Sequence, residues 1–194
     1  YMFSYGPFSH TGLKMDWAVN DDWSLMAAIM NDNDLTDVNP TNNYTLGAQV
    51  GFKGTYLNFL YGPQFQVDLT TGFDITDSFY LGVNSTYYVD NDTDASFYGV
   101  AVYPQLKTSD SFVLGFRAEY FGEGDGGVGA IGGYDNDGDA NAFEFTLTGN
   151  YAIGDLMIIP EFRVDTTSED TFVDNDFEPT GSLTSFLIAA VYKF

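Results

Sequence analysis

Arg117, Glu119, Glu144, Glu161, Arg163 and Asp165 are the residues most able to do chemistry in this chain. Guanidinium and carboxylate groups on one wall of a pore would sort solutes by charge. The same groups, matched in sign, would also brace a wall as an ion-pair ladder. Because they neutralise one another, they fit bracing better than selectivity. A second candidate chemistry is cation binding. Asp90, Asp92 and Asp94 form D-x-D-x-D, and so do Asp135, Asp137 and Asp139. Spaced carboxylates suit a hard cation such as calcium. Neither segment carries the Gly and terminal Glu of a twelve-residue EF-hand loop, so a solvated acidic loop is the plainer reading. The chain holds one histidine, His10, and no cysteine. His10 reads as a lone polar group at a rim. No catalytic triad and no histidine-based zinc site can be built from that set, so no catalytic residue is nominated and an enzyme is not expected.

The elements that would position these residues are strands. Period-two alternation runs through the chain and helical periodicity is nearly absent. In 65–75, Phe65, Val67, Leu69, Thr71, Phe73 and Ile75 alternate with Gln66, Asp68, Thr70, Gly72 and Asp74. In 111–121, Phe112, Leu114, Phe116, Ala118 and Tyr120 oppose Val113, Gly115, Arg117 and Glu119. Strands are expected at 12–19, 23–30, 44–53, 55–61, 65–75, 79–89, 96–106, 111–121, 142–152, 156–166 and 183–194. Alternation then puts the Arg/Glu/Asp cluster on the polar face of three consecutive strands. Glu119, Thr146 and Arg163 are expected in about one lateral row, with Arg117 and Glu161 nearer one end.

Composition agrees with a wall that has one apolar and one polar face. Aromatic residues make up 18% of the chain while mean hydropathy is only −0.11. Trp17, Trp23, Tyr44, Tyr87, Tyr103, Tyr120, Tyr151 and Tyr192 sit near predicted strand ends, as an aromatic girdle at a lipid interface would. The formal charge of −22 excludes nucleic acid, whose phosphates require clustered Lys and Arg. The acidic residues concentrate in 31–43, 90–95 and 123–141, which read as solvated loops. No stretch approaches 18 uninterrupted apolar residues, so no transmembrane helix is expected. No leader is visible at Tyr1, so an exported protein would be represented in mature or shortened form.

Short turns at 20–22, 54, 76–78, 107–110 and 153–155 alternate with longer polar joins at 31–43, 90–95, 123–141 and 167–182, plus a shorter one near 62–64. That asymmetry belongs to outer-membrane barrels, whose short turns are periplasmic. If the last strand ends in the periplasm at Phe194, counting back brings the chain in from the extracellular side. Single-chain bacterial barrels have even strand numbers and start in the periplasm. An odd number of strands is therefore expected before Tyr1.

Short motifs carry a family resemblance. Pro7-Phe8-Ser9-His10-Thr11-Gly12 resembles a "PF-x-HTG" segment, and Tyr61-Gly62-Pro63 a strand-end "YGP". Phe97-Tyr98-Gly99-Val100-Ala101 is similar to a "WYG" strand, Arg117-Ala118-Glu119-Tyr120-Phe121 to "RAEYF", and Pro160-Glu161-Phe162-Arg163-Val164-Asp165 to "PE-x-R-x-D". In this order they resemble the OmpL-like beta-barrel porin-2 family, in its C-terminal portion. The resemblance implies about five further strands upstream and roughly sixteen in all, a porin-sized barrel.

The expected fold is thus an all-β, antiparallel, up-and-down transmembrane barrel, with residues 1–194 as one domain that lacks N-terminal strands. The expected place is the bacterial outer membrane. The expected function is passive diffusion of small solutes, with a closed or plugged structural or adaptor barrel as the alternative. Expected partners are outer-membrane lipid and lipopolysaccharide, the barrel assembly machinery that reads an aromatic end such as Phe194, and other envelope proteins or further copies of the chain. No cofactor is expected beyond calcium at the acidic loops.

Overall fold

A computed structural model describes residues 1–40 and 42–194; position 41, inside the expected 31–43 loop, lies outside the described residues. Eleven strands form one antiparallel sheet in sequence order. They are β1 Gly12–Ala18, β2 Trp23–Asn31, β3 Tyr44–Phe52, β4 Thr55–Tyr61, β5 Gln64–Thr76, β6 Phe79–Asp90, β7 Ser96–Lys107, β8 Phe112–Gly124, β9 Ala140–Ile153, β10 Leu156–Thr167 and, after a small hairpin, β13 Ser182–Tyr192. The hairpin, β11 Phe172–Val173 and β12 Pro179–Thr180, stands in the last long loop, which the period-two pattern does not reveal. A 3-10 turn, Met2–Tyr5, precedes β1. The two free edges of the sheet are β1 and β13.

Turn chemistry fixes where the strands reverse. Lys53 and Gly54 both have positive φ, 48° and 82°, the type I′ pattern that matches strand twist and needs only two residues between β3 and β4. Between β1 and β2, Asn20 Oδ1 accepts the N–H groups of Asp22 and Trp23 at 2.9 and 3.0 Å. Such a side chain supplies the turn's missing acceptor. The connections at one end of the sheet are all short, and the long loops all lie at the other end, which also holds the two-residue join Gly62-Pro63 between β4 and β5.

The two faces differ sharply. One carries Leu13, Met15, Trp17, Ile29, Leu46, Phe73, Phe116, Phe145, Leu147 and Phe162, all exposed. A soluble protein would bury such a surface; a membrane wall turns it to lipid. The other face holds Thr45, Gln64, Gln66, Thr86, Glu119, Glu123, Glu144, Thr146 and Asp165, all buried. The inversion is what a sheet curled around a polar interior requires.

Candidate functional site: the inner wall

The charged cluster forms because register aligns three strands. Arg117 stands opposite Thr146, and Thr146 opposite Arg163. Glu119 stands opposite Glu144, and Glu144 opposite Asp165. The expected row of Glu119, Thr146 and Arg163 is therefore wrong by two residues on β8. Arg117 occupies that row instead, and only Glu161 lies beyond it toward the tight turns. The expected strand bounds 111–121 and 142–152 put 121 opposite 142, as the structure does, and that register sets Glu119 opposite Glu144 rather than Thr146.

Three carboxylates side by side would repel one another. The arginines, two residues along each outer strand, reach back to separate them. Arg163 makes two hydrogen bonds to Asp165, Nε–Oδ2 at 2.8 Å and Nη2–Oδ1 at 2.7 Å. Arg117 Nη2 donates to Glu119 Oε2. Its Nε lies 3.2 Å from Glu144 Oε2, an ion-pair contact whose angles do not make a hydrogen bond. Thr146 donates to the other oxygen of Glu144, and Thr148 donates to Glu161 at 3.0 Å. The side chains of Glu119 and Glu144 are 0% exposed, those of Arg117 and Arg163 25% and 32%. The acids thus lie behind and the guanidiniums face the interior. Such pairing offsets the large desolvation cost of the carboxylates.

The segment before β1 folds into the same interior. The backbone nitrogens of Tyr1 and Met2 donate to Glu119 at 3.2 and 2.7 Å. With Arg117 they give the buried Glu119 carboxylate three donors. Met2 packs among Phe97, Ala101, Phe121, Ile131, Ala140 and Ala142, a buried apolar cluster inside the wall. The ring of Tyr1 stacks on Phe121 at 5.7 Å and lies under the Arg163 guanidinium at 5.8 Å.

Glu123 anchors a second inward segment. Its carboxylate accepts the N–H groups of Val128, Ala130 and Ile131 at 3.1, 2.9 and 3.0 Å, and the hydroxyl of Tyr134 at 3.4 Å. Burial, then the nearby Glu123 charge, raises the pKa of the Tyr134 phenol, so it stays a donor. The loop between β8 and β9 is thereby tied down over the interior. Ending the expected strand at residue 121 hid Glu123, although parity puts it on the face of Arg117 and Glu119.

A polar ladder crosses the opposite wall. Gln49 donates to Asn58 at 2.6 Å, Asn58 to Asp68 at 3.0 Å, and Asn84 to Asp68 at 2.8 Å. The alternation within 44–53, 55–61 and 65–75 puts Gln49, Asn58 and Asp68 on the polar side, and pairing with β5 adds Asn84 from β6.

Of the aromatic residues assigned to a girdle, Trp17, Trp23, Tyr44, Tyr87, Tyr151 and Tyr192 are exposed on the outer face. Tyr120 joins them, its ring 4.8 Å from Phe143 and 6.1 Å from Tyr98. Tyr103 does not belong there. It shares the parity of the buried Phe97 and Ala101, and the Arg117 guanidinium lies 5.9 Å from its ring. Closeness to a strand end suggested lipid contact, but the pleat turns it inward.

The acidic repeats take another role. Asp90 Oδ1 accepts the N–H of Asp92 and of Thr93, at 3.0 and 2.9 Å, and Asp135 Oδ1 accepts those of Asp137 and Asp139, at 2.9 and 3.0 Å. The first carboxylate of each repeat caps its own turn. Among the described residues, no group of three or more acidic, His or Cys side chains converges to hold a metal ion. His10 lines the cavity beneath the segment before β1.

A family model described as "Putative beta-barrel porin-2, OmpL-like" matches residues 1–194. Among solved structures, the outer membrane channel DcaP of Acinetobacter baumannii superposes with a TM-score of 0.64 at 12% identity, over 94% of this chain and 62% of that one. The chain therefore spans less than two thirds of the DcaP chain. The NanC porin gives a TM-score of 0.49 at 15% identity, over 95% of this chain and 93% of that one. No curated protein matches the chain in sequence.

Proposed function

Because this chain belongs to the OmpL-like beta-barrel porin-2 family, we propose that it forms the wall of a passive diffusion channel for small solutes. It is an outer-membrane β-barrel protein of porin type. The observation that carries the channel reading is the inverted wall. A lipid-facing apolar surface encloses polar side chains that border two cavities, of about 530 and 580 Å³. Polar groups on each lining, Asn58, Asp68 and Asn84 among apolar neighbours in the first and Arg117, Thr148 and Glu161 in the second, hold water, and water carries solutes. The Arg117–Arg163 row serves as a braced wall first, with its guanidinium faces left for passing solutes.

The free edges of β1 and β13 bear on the same proposal. Lipid offers no hydrogen-bond partner, so an open edge cannot stand in a bilayer. Further strands of the same barrel pair with both edges and close the wall. An intact mass of 21.4 kDa for the natural protein would contradict that closure. Lipid and lipopolysaccharide cover the outer face.

One observation favours a closed barrel instead: the apolar cluster around Met2 fills part of the interior. Liposome swelling decides between them. Vesicles carrying the purified protein should swell in isotonic solutions of small neutral sugars. Absence of swelling with every solute would favour the closed reading.

A further inference from the structure

The two interior cavities are bordered by different strands. The first lies beneath the segment before β1 and is bordered by residues such as Met26, Asn58, Asp68 and Asn84. The second lies against β7 to β10 and is bordered by residues such as Gln105, Arg117, Thr148 and Glu161. Among the described residues, Tyr103 alone borders both.

Its neighbours explain why this ring can stand between them. Across the sheet on one side is Gly82, which has no side chain, and beyond it Gly72. A Cβ on Gly72 would come within 1.9 Å of the Tyr80 hydroxyl, so Tyr80 lies over both glycines. A Cβ on Gly82 would come within 3.3 Å of the Tyr103 Cβ. On the other side, Val102 pairs with Ala118 and Gln105 with Gly115, a register that puts Tyr103 opposite Arg117. The guanidinium over the ring holds that flank. Tyr103 is therefore seated between a glycine floor and the braced arginine row, with its ring toward the interior.

We infer that Tyr103 is the specificity-determining residue of the channel: it divides the lumen and sets the largest solute that passes. The inference rests on the channel reading above. Size selection at one ring requires that the ring be fixed, which Arg117 and the Tyr80-covered glycines provide. A polar tip on an aromatic body also suits uncharged, hydroxyl-bearing solutes, which stack on the ring and exchange hydrogen bonds with the phenol.

The test compares Tyr103→Ala, Tyr103→Phe and Tyr103→Trp in the full natural protein, by single-channel conductance and by swelling with neutral sugars of increasing size. Heat-modifiable migration in gels confirms that each variant is folded. Tyr103→Ala should raise conductance and shift the size limit to larger sugars. Tyr103→Trp should lower both, and Tyr103→Phe should leave the size limit where it was. A conducting parent with the same conductance and size limit in the Ala and Trp variants overturns the role of Tyr103 and leaves the channel reading standing. A silent parent with a silent Ala variant overturns both. A silent parent opened by Tyr103→Ala upholds Tyr103 as the divider and replaces the open-channel reading with a closed one.

Discussion

Arg163 grips Asp165, two residues along the same face of β10, through a pair of parallel hydrogen bonds of 2.8 and 2.7 Å. A fork-to-fork pair of this kind is directional, and a lysine cannot reproduce it. The Asp165 side chain is only 5% exposed, so its charge depends on that grip. Arg163→Ala should destabilise the folded barrel by about 3–5 kcal/mol, since it leaves a buried carboxylate uncompensated. Arg163→Lys should fall between the two. Equilibrium unfolding in lipid vesicles by urea titration checks the order, and an unaffected Ala variant would remove the bracing role.

Glu123 should control whether the loop between β8 and β9 stays folded inward. Glu123→Ala removes the acceptor for the N–H groups of Val128, Ala130 and Ile131. Those amides should then exchange with deuterium much faster, while the amides in the middle of β8 should not change. Equal exchange in parent and variant would show that the loop is held by something else.

The face assignment predicts opposite responses at neighbouring positions of β9. Leu147 faces lipid near the middle of the strand, and Thr148 borders the second cavity. Leu147→Arg should cost about 2–4 kcal/mol, as a cation does at the bilayer midplane. Thr148→Arg should be tolerated and should alter ion preference instead. Similar stabilities for the two variants would mean that the faces are misassigned.

Much of the wall was legible in the sequence, because each strand crosses one lipid layer and must alternate. Residues 65–75 and 142–152 show this most clearly, and their strands lie within a few residues of the expected bounds. Alternation fixes the face of a residue but not its height. Height follows from the strand bounds: 111–121 against 142–152 puts Phe121 opposite Ala142 and Glu119 opposite Glu144, so the expected row of Glu119 with Thr146 is two residues off. Tyr103 departs from its expected place for another reason: closeness to a strand end suggests lipid, while its parity in β7 turns it inward. Glu119 and Glu123 anchor segments distant in the chain or irregular in structure, and no periodic pattern records such contacts. The D-x-D-x-D repeats are ambiguous by nature, because an Asp that caps a turn and an Asp that binds calcium share one spacing.

The central claim is that this wall encloses a water-filled passage. Planar-bilayer recording of the purified natural protein tests it most directly. Stepwise single-channel conductance that scales with salt concentration is the result predicted by the polar wall and its two cavities. Insertion into the bilayer with no conductance at any voltage or salt concentration would contradict it.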